Sequence, residues 1–119
     1  MMNIVHLTTD LMLGSQVSQA ARGRGMSVRM VGTLERLAEQ IDSETVLVLL
    51  DLQTAGWSTE RFQQLVSGRT LPPIAAYAQH VFPQLLADAR QIGISSVLTR
   101  GQFASSLPRL LADLPPIKP

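Results

Sequence analysis

The sequence predicts a three-layer α/β sandwich built on a five-stranded parallel sheet, and two observations predict it. Short apolar runs alternate with helical apolar stripes five times along the chain, with brief connections between them. The middle run, Val46-Leu47-Val48-Leu49-Leu50, is continuously apolar instead of alternating. That is the pattern of a parallel strand covered by helices on both faces.

Each element has its own local reason. Asn3 to Leu7 is a short apolar run and reads as the first strand. Asp10 is placed to cap the helix that follows, which carries Leu13, Val17, Ala20 and Ala21 at helical spacing through about Arg22. Gly23 and Gly25 stop that helix, and Ser27 to Val31 reads as the second strand. Thr33 caps a second helix with Leu34, Leu37, Ala38 and Ile41 inward. Thr45 to Leu50 is the third strand, and Ser58 precedes a third helix, Thr59 to about Ser67, with Phe62, Leu65 and Val66 inward.

Pro72-Pro73 precedes a fourth strand, Ile74 to Ala78. Pro83 suits the start of a fourth helix, whose stripe is Leu85, Leu86, Ala89 and Ile92. Ser96 to Thr99 is the fifth strand. Ser105 or Ser106 is expected to cap a last helix with Leu107, Leu110, Leu111 and Leu114 inward, ended by Pro115-Pro116. Right-handed crossovers make a doubly wound, flavodoxin-like sheet of order 2-1-3-4-5 the natural solution. The expectation is one stand-alone domain over residues 1–114 with a C-terminal tail at 115–119.

Composition narrows the function classes. The chain has 119 residues, 45% of them hydrophobic and 16% charged, which supports one buried core and excludes a disordered protein. Ten basic and nine acidic residues leave +1, too little for electrostatics alone to drive nucleic-acid binding. Arg22, Arg24, Arg29 and Arg36 read as solvated helix ends and loops. There is no cysteine, hence no disulfide, thiolate chemistry or cysteine-held metal. The first residues lack the basic-then-apolar pattern of a signal peptide, and no apolar run approaches the roughly 18 residues of a membrane span. A cytoplasmic location, without membrane or nucleic-acid partners, is the expectation.

A doubly wound sheet presents reactive groups where the ends of its first and third strands meet. Here those ends are Thr8-Thr9 and Asp51. Two stretches carry a family resemblance: Val46-Leu47-Val48-Leu49-Leu50-Asp51-Leu52-Gln53-Thr54-Ala55-Gly56-Trp57, and Val97-Leu98-Thr99-Arg100-Gly101-Gln102-Phe103. With the five βα units, they resemble the receiver domain of bacterial response regulators over nearly the whole chain. The resemblance implies two-component signalling, with Asp51 at the phosphoacceptor position. It also implies an acidic pair after the first strand to hold magnesium, a hydroxyl ending the fourth strand, and a lysine ending the fifth.

Position by position, the chain departs from that set. Thr8 and Thr9 stand where the acids belong, Ala78 replaces the hydroxyl, and Arg100 replaces the lysine, followed by Gly101 instead of proline. A degenerate receiver follows, acting by protein–protein interaction, with no enzymatic turnover and no cofactor. Asp51 is expected to pair with Arg100, an ion pair fixing the ends of the third and fifth strands. Two alternatives stand beside this reading. In one, Asp51 is still phosphorylated, with magnesium held weakly by Asp10 and Asp51. In the other, a flavodoxin-like domain binds a small ligand through His80, Trp57 and Asp51.

The remaining candidates have plainer readings. His6 reads as a core histidine, and His80 as a surface or capping one. Trp57 is expected to pack over the crevice mouth. No Gly-x-Gly-x-x-Gly follows the first strand, and no phosphate loop ends in Gly-Lys-Ser/Thr. Gln84, Asp88, Arg90 and Gln91 are expected outside on the fourth helix, and Arg109 and Asp113 on the last. Mixed charges at Asp88, Arg90, Arg109 and Asp113 suit a symmetric homodimer through the fourth helix, fifth strand and fifth helix, the face receivers use for pairing.

Overall fold

The structure is a computed structural model that describes residues 1–114. The tail at 115–119 and the stop at Pro115-Pro116 lie outside the described residues. Five strands, β1 (Asn3–Leu7), β2 (Ser27–Val31), β3 (Thr45–Asp51), β4 (Ile74–Ala78) and β5 (Ser96–Thr99), pair in parallel in the order β2-β1-β3-β4-β5. The helices are α1 (Leu11–Arg22), α2 (Leu34–Gln40), α3 (Thr59–Val66), α4 (Pro83–Gln91) and α5 (Arg100–Ala112). The expected flavodoxin-like sandwich is the observed one.

Alternation along the strands sends apolar side chains into two cores. Ile4, Leu47, Leu49, Ala75 and Tyr77 pack with Leu13 and Val17 of α1 and with Phe103, Leu107 and Leu111 of α5. Val5, Leu7, Val48, Leu50, Ala76 and Ala78 pack on the opposite side with α2, α3 and α4. β1 and β3 lie in the middle of the sheet and are its most deeply buried strands, which explains the unbroken apolar run in β3. Burial of this kind stabilises by roughly 25 cal/mol per Å² of apolar surface.

Three local features tie the layers together. Gly14 on α1 lets the Met30 side chain approach so closely that a Cβ there would stand 2.5 Å from its sulfur. Buried Asn3 is satisfied at the bottom of the sheet, accepting from the Thr45 hydroxyl at 2.8 Å and donating to Asp42 at 3.3 Å. Arg69 donates to the carbonyls of Ala38 and Ile41, closing the end of α2.

One boundary corrects the sequence reading. Neither Ser105 nor Ser106 caps the last helix, because α5 begins at Arg100 and both serines lie inside it. Its cap is Thr99, whose hydroxyl accepts from the Gln102 N–H, while the Gln102 side chain accepts from the Thr99 N–H. This reciprocal box satisfies two donors at once and starts the helix directly after β5. Pro108 then falls inside the helix without ending it.

Candidate functional site: a hydrogen-bonded crevice around Asp51

Asp51 is the last residue of β3 and is 6% exposed. Its carboxylate has two short-range partners. The Thr8 hydroxyl donates to Oδ2 at 2.7 Å, and the backbone N–H of Gln53 donates to Oδ1 at 3.1 Å. Both bonds follow from position: Thr8 directly follows β1, the strand beside β3, and Gln53 begins the turn after β3.

Thr8 is fully engaged as well. It is buried, and its hydroxyl oxygen accepts from the Asp10 N–H at 3.0 Å while donating to Asp51. Thr9 is exposed and contributes no side-chain hydrogen bond among the described residues. Asp10 caps α1 as expected, with Oδ1 accepting from the Leu13 N–H at 3.0 Å. This places a negative charge at the positive end of the helix dipole.

Arg100 does not pair with Asp51, and the structure corrects that expectation. Its guanidinium makes an ion pair with Oδ2 of Asp10, across the top of the sheet. The physical reason is supply of donors. Both Asp51 oxygens already accept a hydrogen bond, from Thr8 and from Gln53, whereas Oδ2 of the capping Asp10 carboxylate has no other donor among the described residues and is less buried. The pair joins the starts of α1 and α5 instead of the ends of β3 and β5.

A second link closes the other side of the crevice. The backbone N–H of Gln79 donates to Oε1 of Gln53 at 2.7 Å, and Nε2 of Gln53 donates to Oε1 of Gln79 at 3.4 Å. Sequence reasoning misses both glutamines. The available signal is their position, Gln53 two residues after Asp51 and Gln79 directly after Ala78. Ala78 itself is fully buried in the core beneath α2, α3 and α4.

Below the crevice lies a buried polar pair. His6 is fully buried, and its Nε2 shares a 2.7 Å hydrogen bond with the Tyr77 hydroxyl. Burial lowers the His6 pKa to about 4, so the imidazole is neutral at pH 7. Burial, and after it the nearby Asp51 charge, pushes the Tyr77 phenol above its ordinary value. Tyr77 also stacks on Phe103 of α5, with ring centroids 4.2 Å apart. His6 is thus the core histidine that the sequence suggested.

The other candidates lie outside the crevice. His80 is exposed, beside an open cavity of about 330 Å³ lined by Gln79, Val81, Thr99, Arg100 and Gly101. Trp57 is half-buried and packs on Phe62 of α3, with centroids 5.5 Å apart. Arg90, Arg109 and Asp113 are exposed, and Asp88 is half-buried and accepts from Gln84 at 2.6 Å. No group of three or more acidic, histidine or cysteine side chains that could hold a metal ion occurs among the described residues. No helix among them is long and apolar enough to cross a membrane.

No family model and no curated protein matches the chain. Solved structures do match. The signal receiver domain of a protein described as a Luxo repressor from Vibrio parahaemolyticus superposes with a TM-score of 0.73 at 18% identity, over 92% of this chain and 86% of that one. A response regulator receiver protein from Burkholderia phymatum gives 0.69 at 17% identity, over 98% and 100%. A redox sensor of the streptococci, of a family evolved from two-component response regulators, gives 0.75 at 14% identity, over 94% and 50%. At such identities the likeness concerns architecture: this chain has the fold of the response-regulator receiver domains.

Proposed function

We propose that this is a receiver-like signalling domain that acts by protein–protein contact, with Asp51 serving as a structural group and not as a phosphoacceptor. The observation that carries the reading is the occupancy of Asp51. A phosphoacceptor carboxylate attacks phosphorus best when its oxygens are not tied down by donors, and it needs a metal to offset the charge that builds. Here one oxygen is held by the Thr8 hydroxyl and the other by the Gln53 N–H. Asp10, the nearest acid in sequence after β1, is held by the Leu13 N–H and Arg100. Ala78 offers no hydroxyl to a phosphoryl oxygen. The streptococcal redox sensors, evolved from response regulators, are a precedent for this fold under a changed signal.

Under this proposal the domain turns over no substrate and carries no resident metal. Its working parts are its outer faces, including a homodimer contact through α4, β5 and α5 built on Asp88, Arg90, Arg109 and Asp113. The test is incubation with a small-molecule phosphodonor and millimolar magnesium, followed by intact mass measurement. The expected result is no added phosphoryl group. An adduct that disappears in Asp51→Asn overturns the reading in favour of a working phosphoacceptor.

A further inference from the structure

We infer that the Gln53–Gln79 pair is a built-in latch, tying the β4–α4 turn to the end of β3 and holding it in one position. The inference rests on the proposed function above, because a latch of this kind has a purpose only where Asp51 does not switch.

Gln53 is anchored before its side chain begins. The Leu52 N–H donates to the Tyr77 carbonyl at 3.0 Å, extending the β3–β4 ladder by one residue, and the Gln53 N–H donates to Asp51. The side chain therefore leaves from a fixed point and reaches the neighbouring turn with its orientation largely set. Its carbonyl oxygen takes the Gln79 backbone N–H at 2.7 Å, the shorter of the two links and the one that restrains the main chain. That N–H belongs to the first residue after β4, directly beyond Ala78.

The turn that is held has few other restraints. The Phe82 N–H donates to the Gln79 carbonyl at 3.0 Å, closing the turn on itself. Phe82 stands at the N-cap of α4 without a side-chain capping bond, and Pro83 supplies no N–H. Val81 and Phe82 are exposed apolar side chains on this turn. Gln79 is thus the point at which the turn is tied to the sheet top, and through it the start of α4 is set. The polar chain runs without a break from Gln79 through Gln53, Asp51, Thr8 and Asp10 to Arg100, so the C-terminal ends of four of the five strands share it.

The two links differ, and the difference makes the test sharp. Replacing Gln53 with alanine removes both, whereas Gln79→Ala removes only the 3.4 Å side-chain bond. Gln53→Glu keeps an acceptor oxygen for the Gln79 N–H. The experiment measures amide hydrogen exchange by NMR in the full chain and these three variants, without phosphodonor. In Gln53→Ala the Gln79 amide should exchange at least about five-fold faster, the loss expected for one net hydrogen bond. Resonances of His80, Val81 and Phe82 should shift, while amides within β1 stay as protected as before. Gln53→Glu and Gln79→Ala should keep the Gln79 amide protected.

The inference is overturned if the Gln79 amide exchanges equally in the parent and Gln53→Ala. It is also overturned if Gln53→Glu behaves like Gln53→Ala, or if β1 loses protection in parallel, since the effect is then global. A phosphoryl adduct on Asp51 would instead sink the proposed function, and it is read in a separate measurement by mass.

Discussion

Lowering the pH from about 7 to about 4.5 protonates His6 in the unfolded chain far more than in the folded one. Burial lowers the folded-state pKa from 6.5 to about 4, so between those values the unfolded chain binds more protons. Stability is fully present above pH 6.5 and falls as the pH drops towards 4, levelling out below. From about pH 7 to about pH 4.5 the loss comes to about 2.5 kcal/mol, since a tenfold change in proton concentration is worth at most about 1.4 kcal/mol per proton. The groups facing His6 do not offset it: Tyr77 remains neutral, and Phe103 carries no charge. The assay is urea unfolding at a series of pH values, followed by Trp57 fluorescence. The control is the double variant His6→Leu, Tyr77→Phe, which removes both polar partners and leaves no orphaned hydroxyl. It should lose most of the slope between pH 6.5 and about 4. Equal slopes in the two proteins, or stability that rises as the pH falls, refute the reasoning.

Further expectations concern single positions. Thr8→Val strips Asp51 of its buried donor and should cost about 1.5–3 kcal/mol by denaturant unfolding, as for a hydrogen bond to a charged group. Thr99→Ala removes the α5 cap and should cost about 1 kcal/mol, with faster amide exchange in the first turn of α5. Leu49→Ala in the fully buried centre of β3 should cost about 2–5 kcal/mol by the same unfolding measurement. Asp42 is held at a pKa of about 2, chiefly by its hydrogen bond from Arg29. Its contribution should persist above pH 3.8 and fade as the pH drops towards 2, below the His6 window, and Arg29→Ala should shrink it in a pH titration followed by NMR, the bonds from Glu44 and Asn3 keeping the remainder.

The strands are readable because they are short, largely apolar runs bounded by turn residues, and those in the middle of the sheet are buried on both faces, whereas the edge strands β2 and β5 are partly exposed. The start of α5 is harder to place, although Thr99-Arg100-Gly101-Gln102 carries the Thr-x-x-Gln spacing of a capping box. The turn implied by the family resemblance falls on the same residues and masks that local signal. In the crevice, burial of Asp51 and the role of Asp10 as a cap follow from position along the chain. The choice of Arg100 between two carboxylates does not, because it depends on which acid keeps a free oxygen once shorter-range donors have bound. Gln53 and Gln79 are invisible for a related reason. Two exposed glutamines have no pattern in sequence, and only the lateral order of β3 and β4 brings their loops together.

The Asp10–Arg100 pair joins residues that are 90 positions apart. It couples the outset of the first helix to the outset of the last, mechanically and not through the sheet. A protein that binds α5 and shifts its first turn would pull Arg100 from Asp10, leaving that carboxylate facing the N-terminus of α1 alone. The first helix would then register an event on the last, a route from one face to another that does not pass through Asp51.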